Sequence, residues 1–261
     1  MLRKRIIPCL LIERGRLVKT ERFRKPKYVG DPINAVKIFN EKEVDELFLL
    51  DIGASRESRK PDFKLIEQIA TEAFMPVCYG GAVRSVEVAR TLLQLGVEKV
   101  AVNTGAMKRT SLLGELRDRF GAQYVVGVVD VKKRFLGGLG VHSHAGVHPP
   151  QSDPVRWAQD LVAAGAGEIL LQNVDRDGTL LGLDLDLLRM FDRAVDVPLV
   201  AAGGTSSVDD MRNAFRTCRL SGLAVGARFV YQGPHRAVLI SYMTPAEIAS
   251  LEEGPRQSIR H

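Results

Sequence analysis

The stretch Glu46-Leu47-Phe48-Leu49-Leu50-Asp51 decides the fold, because it returns as Glu168-Ile169-Leu170-Leu171-Gln172-Asn173, an offset of 168 − 46 = 122 residues. The same offset carries Asp31-Pro32 onto Asp153-Pro154, Pro76 onto Pro198, and the Gly80-Gly81-Ala82 turn onto Ala202-Gly203-Gly204. A solenoid unit repeats every 20 to 50 residues or so, so each copy here must hold several strand and helix pairs. Working outward, short apolar runs predict strands over residues 5–10, 46–51, 75–79, 99–103, 124–130, 168–173, 198–202 and 223–225. Amphipathic patterns between them predict helices, among them 61–73, 85–95, 154–164 and 185–194. Strands alternating with helices imply a parallel sheet, and a half-barrel written twice gives an α/β fold, a (βα)8 TIM barrel with a two-fold half-barrel repeat. The 261 residues suit one such domain spanning 1–261, with the charged segment 244–261 as a peripheral tail.

Composition narrows the function classes. Hydrophobic residues at 45% and charged residues at 26% are ordinary for a soluble chain, and no run of about 20 apolar residues reads as a membrane span. The opening Met1-Leu2-Arg3-Lys4-Arg5 precedes an apolar run that is too short for a secretory signal and lacks a small-residue cleavage site, so it reads as the entry to strand one. Cys9, Cys78 and Cys218 are odd in number and far apart, which signals neither a disulfide framework nor a zinc site and points to a reducing cytoplasm. A net charge of +6 favours anionic partners, but aromatics at 6% argue against nucleic acid, so a phosphorylated small molecule is the expected ligand. The local basic excess, Arg14, Arg16, Lys19, Arg22, Arg24, Lys25 and Lys27 against Glu13 and Glu21, is expected to form an active-face loop. Most of these side chains read as solvated; Lys19 is the one assigned a role. His142 and His144 alternate without a third ligand, so neither metal nor cofactor is expected. Gly137-Gly138-Leu139-Gly140 follows a basic segment and opens no helix, so it reads as a turn and not a dinucleotide fingerprint.

In barrels of this kind the functional groups sit at the C-terminal ends of the strands. Two of those ends look built for phosphate: Gly80-Gly81-Ala82 after the third strand and Ala202-Gly203-Gly204 after the seventh, each followed by a helical pattern. Small residues let backbone N–H groups approach an anion, and a helix N-terminus adds partial positive charge. Asn103-Thr104 and Gly226-Ala227, ending the fourth and eighth strands, are expected to complete the cradles for a ligand with a phosphate at each end.

The segments Lys4-Arg5-Ile6-Ile7-Pro8-Cys9-Leu10, Glu98-Lys99-Val100 with Asn103, Gly165 to Leu171 and Asp175-Arg176-Asp177-Gly178-Thr179 resemble the HisF family, the cyclase subunit of imidazole glycerol phosphate synthase, over nearly the whole chain. That resemblance implies a HisH-like glutaminase docked under the barrel as a heterodimer, and ammonia used to cleave and cyclise a bis-phosphorylated ribonucleotide. It also implies an ammonia gate of four charged residues, which fall here on Arg5, Glu46, Lys99 and Glu168. The alternative reading of those four is a set of strand-start ion pairs that satisfy buried charge. Family catalysis implies two aspartates. The strand-five position is Asp130, but the strand-one position is Leu11, and losing one member of an acid and base pair typically costs about 10²- to 10⁴-fold. Asp177 and Lys19 are the further catalytic candidates, although Asp175-Arg176-Asp177-Gly178 also reads as a turn whose aspartates bond their own backbone.

Segments such as Gly30-Asp31-Pro32-Ile33-Asn34-Ala35-Val36 and Phe39-Asn40-Glu41-Lys42-Glu43-Val44-Asp45-Glu46 resemble one HisF-related branch, the WbuZ-type glycosyl amidation-associated proteins. For that branch the resemblance implies ammonia supplied to a separate sugar amidotransferase in surface polysaccharide synthesis. Three readings follow: an ammonia-conducting barrel subunit, a true cyclase of histidine synthesis with Asp51 or Asp177 substituting for the missing acid, and, ranked last, an isomerase-like barrel that would leave the gate without purpose.

Overall fold

The computed structural model describes residues 4–143, 145–147 and 149–252; His144 and the end of the expected tail, 253–261, lie outside them. Eight parallel strands form the barrel: β1 (Arg5–Glu13), β2 (Leu47–Asp51), β3 (Val77–Gly80), β4 (Lys99–Val102), β5 (Val125–Lys133), β6 (Glu168–Asn173), β7 (Leu199–Ala202) and β8 (Gly222–Val225). Each pairs with its successor, and β1 closes on β8 through Arg5 opposite Gly222 to Pro8 opposite Val225. In β1 the side chains alternate as the pleat demands. Ile6, Leu10 and Ile12 pack outward beneath the helices, while Ile7, Cys9 and Leu11 point into the lumen with Phe48, Cys78, Val126, Leu170 and Val200.

Around the strands lie α1 (Pro32–Glu41), α2 (Phe63–Glu72), α3 (Val86–Gln94), α4 (Ser111–Phe120), α5 (Pro154–Ala164), α6 (Leu185–Asp192) and α7 (Val208–Thr217). The duplication reaches their caps. Asp31 accepts from the Asn34 amide at the start of α1, and Asp153 does the same for Val155 and Arg156 at the start of α5, in each case just before a proline at the first turn. Trp157 on α5 is fully buried, an anchor whose burial contributes on the order of 2 to 3 kcal/mol. A last helix, α8 (Pro245–Glu252), packs on α7, where Leu251 is buried and Arg212 Nη2 donates to Ser250 Oγ at 2.9 Å.

The basic segment expected as a loop is a β-hairpin. Strands Arg16–Glu21 and Arg24–Gly30 continue from β1 as an antiparallel ribbon. The first reversal puts Arg14 (φ 50°) and Gly15 (φ 75°) in the left-handed region, the geometry a two-residue hairpin turn requires. The second uses Arg22 (φ 51°) and Phe23 (φ 59°), with no glycine to announce it.

Register also shows which residues the two halves equate. Leu11 lies opposite Leu50 and Ile12 opposite Asp51; Asp130 lies opposite Gln172 and Val131 opposite Asn173. Since Leu50 and Asp51 correspond to Gln172 and Asn173 at the 122-residue offset, Leu11 occupies the place in the first half that Asp130 occupies in the second.

Candidate functional site

At the C-terminal end of the barrel a single pocket is lined by all twelve residues predicted for phosphate contact and chemistry: Lys19, Asp130 and Asp177, with the turns at Gly80, Gly81 and Ala82 and at Gly203 and Gly204, and the strand ends at Asn103, Thr104, Gly226 and Ala227. Each turn has a tight backbone. A side chain at Gly81 (φ 139°) would put its Cβ 2.8 Å from the Asp51 carbonyl oxygen, and at Gly204 (φ 102°) 2.3 Å from that of Gly182. Ala82 keeps a left-handed φ of 51°, the conformation a glycine would take without strain, and its amide donates to Ser55 Oγ at 3.1 Å. The helix after each turn starts alike: Ser85 (φ −152°, ψ 164°) caps α3 and Ser207 (φ −147°, ψ 168°) caps α7. The strand-four and strand-eight ends match as well, with Asn103 at φ −119°, ψ −86° and Gly226 at φ −105°, ψ −81°. The two turns therefore line one pocket, each followed by a serine-capped helix, and turns of small residues of this kind suit an anionic ligand.

Asp130 is buried, and that burial, with the nearby Asp177 charge adding to it and the Asn103 hydrogen bond opposing it, lifts its carboxyl to about 7. Asn103 Nδ2 donates to Asp130 Oδ2 at 2.7 Å. Asp130 can thus give or take a proton near neutrality. Lys19, delivered by the inner strand of the hairpin, is buried with its ammonium 2.9 Å from Asp177 Oδ1, while Thr20 Oγ1 donates to Asp177 Oδ2 at 3.1 Å. Opposite Asp130 stand Leu11 and Leu50, and Cys9 nearby has its thiol pushed up to about 12 by burial. Asp51 is committed elsewhere: its Oδ1 accepts from the Gly53 and Ala54 amides at 3.0 and 2.9 Å and from Arg59 Nη2 at 3.2 Å.

Sequence reasoning missed Ser55, Arg56, Thr205 and the hairpin residues Thr20 and Phe23 as pocket-lining residues. Ser55 carried a signal, since the repeat offset of 122 maps it onto Asp177.

At the other end of the lumen Arg5, Glu46, Lys99 and Glu168 form one closed ring. Arg5 donates through Nη1 to Glu46 and through Nη2 to Glu168, and Lys99 Nζ lies 3.0 Å from Glu46 Oε1 and 2.9 Å from Glu168 Oε2. Both carboxylates are buried, and each is bridged by both cations. Burial pulls the Arg5 and Lys99 pKa values down, but the two carboxylates outweigh it and hold both cations above their ordinary values. Between ring and pocket runs the apolar lumen of Ile7, Phe48, Cys78, Val126, Leu170 and Val200.

A duplicated, closed (βα)8 barrel with its polar pocket at the strands' C-terminal ends is the class of protein that these features define. Within that class the chain belongs to the family described as histidine biosynthesis protein, whose model matches residues 5–235. Its relatives are HisF subunit homologues. It is 51% identical over 243 residues, 93% of this chain and 96% of the relative, to a Pseudomonas aeruginosa protein provisionally named imidazole glycerol phosphate synthase subunit hisF2. It is 45% identical over 248 residues, 95% of each chain, to a Vibrio vulnificus protein provisionally named subunit hisF3. The imidazole glycerol phosphate synthase subunit HisF of Streptococcus sanguinis is 39% identical over 231 residues, 88% of this chain and 92% of that one.

Proposed function

We propose that this chain is the ammonia-receiving barrel subunit of a glutamine-dependent pair, docking a HisH-like glutaminase against the ring end and conducting ammonia through the lumen to the pocket, for use by a sugar amidotransferase. The observation that carries this reading is the combination of a complete ring of Arg5, Glu46, Lys99 and Glu168 with a leucine at the symmetry position of Asp130. The ring neutralises four charges among themselves at the mouth of an apolar lumen, so it excludes water and opens only when a side chain moves. Leu11 exchanges no proton, so Asp130 has no carboxylate at its symmetry position, where cyclisation calls for an acid and a base.

A second reading, cyclase subunit of imidazole glycerol phosphate synthase acting on a bis-phosphorylated ribonucleotide, is favoured by the names of the relatives and supported by the two small-residue turns that line the pocket. Turnover of that ribonucleotide with excess ammonium salt separates the two. The unaltered chain is expected to be at least about 100-fold slower than a Leu11→Asp variant that binds the ligand equally well. Robust turnover by the unaltered chain would make it a cyclase and remove the argument from Leu11.

A further inference from the structure

Two β-hairpins rise from the C-terminal face and meet beside the pocket, which Phe23 of the first lines. The first carries Lys19 and Thr20 into the pocket on its inner strand, while its outer strand is exposed from Arg24 to Tyr28. The second prolongs β5 directly beyond Asp130: Lys133 pairs with Leu139, and the His142 amide donates to the Asp130 carbonyl at 2.7 Å. Asp175 ties them together, accepting from the Lys133 amide through Oδ2 at 2.7 Å and from Arg22 Nε through its carbonyl at 3.1 Å, and the Phe23 and His142 rings lie 6.0 Å apart.

The outer surface of this pair is basic and apolar together. Arg24, Lys25, Lys27 and Lys133 form no ion pair among the described residues, because the nearby acids are engaged: Glu13 with Arg56 and Glu21 with Arg236. At the tip of the second hairpin Phe135 is fully exposed and Leu136 is 94% exposed. Water-facing apolar side chains of this size beside unscreened cations are the composition of an interface anchor with a charged rim.

We infer that this rim docks the enzyme that consumes the ammonia, a protein presenting an apolar recess bordered by acidic residues; the inference rests on the function proposed above. The cations supply the charge complementarity. Their position also selects the occupant, because the first hairpin carries Lys19, Thr20 and Phe23 into the pocket lining and is tied to the second through Asp175, so a partner docked on this rim stands beside the pocket.

The test reconstitutes the full chain with its glutaminase and a sugar amidotransferase, and follows amidated sugar by mass spectrometry with glutamine or with ammonium as nitrogen source. Phe135→Asp with Leu136→Asp, and separately Lys27→Glu with Lys133→Glu, are expected to lower glutamine-driven amidation at least about tenfold. Ammonium-driven amidation and stimulation of the glutaminase should stay at the unaltered level, which also shows that the variants fold. Glutamine-driven amidation unchanged in both variants would overturn the docking site, as would pelleting of the unaltered chain with phosphatidylglycerol vesicles that both variants lose. Absence of glutamine-driven amidation with the unaltered chain, while the amidotransferase still works on ammonium, would remove the proposed function and this inference with it.

Discussion

Asp130→Asn is expected to stabilise the protein above neutrality, with a gain that shrinks as the pH falls. In the folded chain burial holds the Asp130 carboxyl near about 7, against an ordinary value of 3.8. Between those two values the native state keeps a proton that the unfolded chain has released, so stability falls as pH rises, by roughly 1.4 kcal/mol per pH unit, and levels off above the folded value. Across about three units the ionised carboxylate costs on the order of 4 kcal/mol, an upper figure because nearby groups relax. Asparagine is neutral throughout and keeps an oxygen to accept from Asn103 Nδ2, which now lies 2.7 Å from Asp130. The other titrating groups act on both proteins alike, so the difference between the two isolates Asp130. Urea denaturation of both from about pH 5 to about pH 8 should show the advantage of the asparagine variant growing by roughly 2 to 3 kcal/mol. A difference that stays flat over that range would mean that Asp130 is not held protonated, and the near-neutral proton exchange assigned to it would go as well.

Three further outcomes follow from the geometry. Lys99→Met should lower unfolding stability by about 3 to 5 kcal/mol, because Glu46 and Glu168 lose a shared cation while buried, and adding Glu46→Gln should recover part of that loss in a thermal melt. Gly204→Ala should weaken inorganic phosphate binding by calorimetry, since its Cβ would sit 2.3 Å from the Gly182 carbonyl oxygen; Gly233→Ala, with φ 69° but open space around it, should cost only about 1 kcal/mol and leave phosphate binding intact. Phe74, 85% exposed on the ring side of the barrel, is held outward by Asn40, which accepts from the Phe74 amide at 2.9 Å and donates to the Glu72 carbonyl at 2.7 Å; Phe74→Asp should weaken binding of the glutaminase by roughly 10- to 100-fold without altering the fold.

The barrel was legible because parallel strands buried on both faces spell continuous apolar runs, and the 122-residue offset tied the runs of one half to those of the other. Strand ends were less legible. β1 and β5 run on to Glu13 and Lys133, beyond the expected 10 and 130, because each is prolonged by an antiparallel ribbon outside the barrel. The first ribbon escaped because its far turn places Arg22 and Phe23 in a left-handed conformation that their residue types do not announce, so a run of cations read as a loop. Lys19 stands out of that run as the one cation given a role, while Thr20 beside it carries no sequence signal, since only the fold shows that both line the pocket and reach Asp177. Ser55 was readable in principle from the repeat alone.

The repeat also shows where the symmetry was spent. The turns, the serine caps, the strand-four and strand-eight ends and the two ring glutamates all occur in pairs, one to each half. The titrating groups of the pocket do not. Where the second half has Asp130 and Asp177, the first has Leu11 and Ser55; of its own ionisable pocket groups, Asp51 is held by two amides and Arg59, and Lys19 is paired with Asp177. A cyclisation that removes a proton on one side of its ligand and returns one on the other needs titrating groups in both halves. A pocket that only receives ammonia, a neutral donor and acceptor, needs one group able to settle a proton near pH 7, and Asp130 in the second half supplies it. Placing Asp at position 11 therefore adds a carboxylate at the symmetry position of Asp130 and leaves ring, lumen and turns as they stand, so gain of turnover in that variant reports on proton exchange.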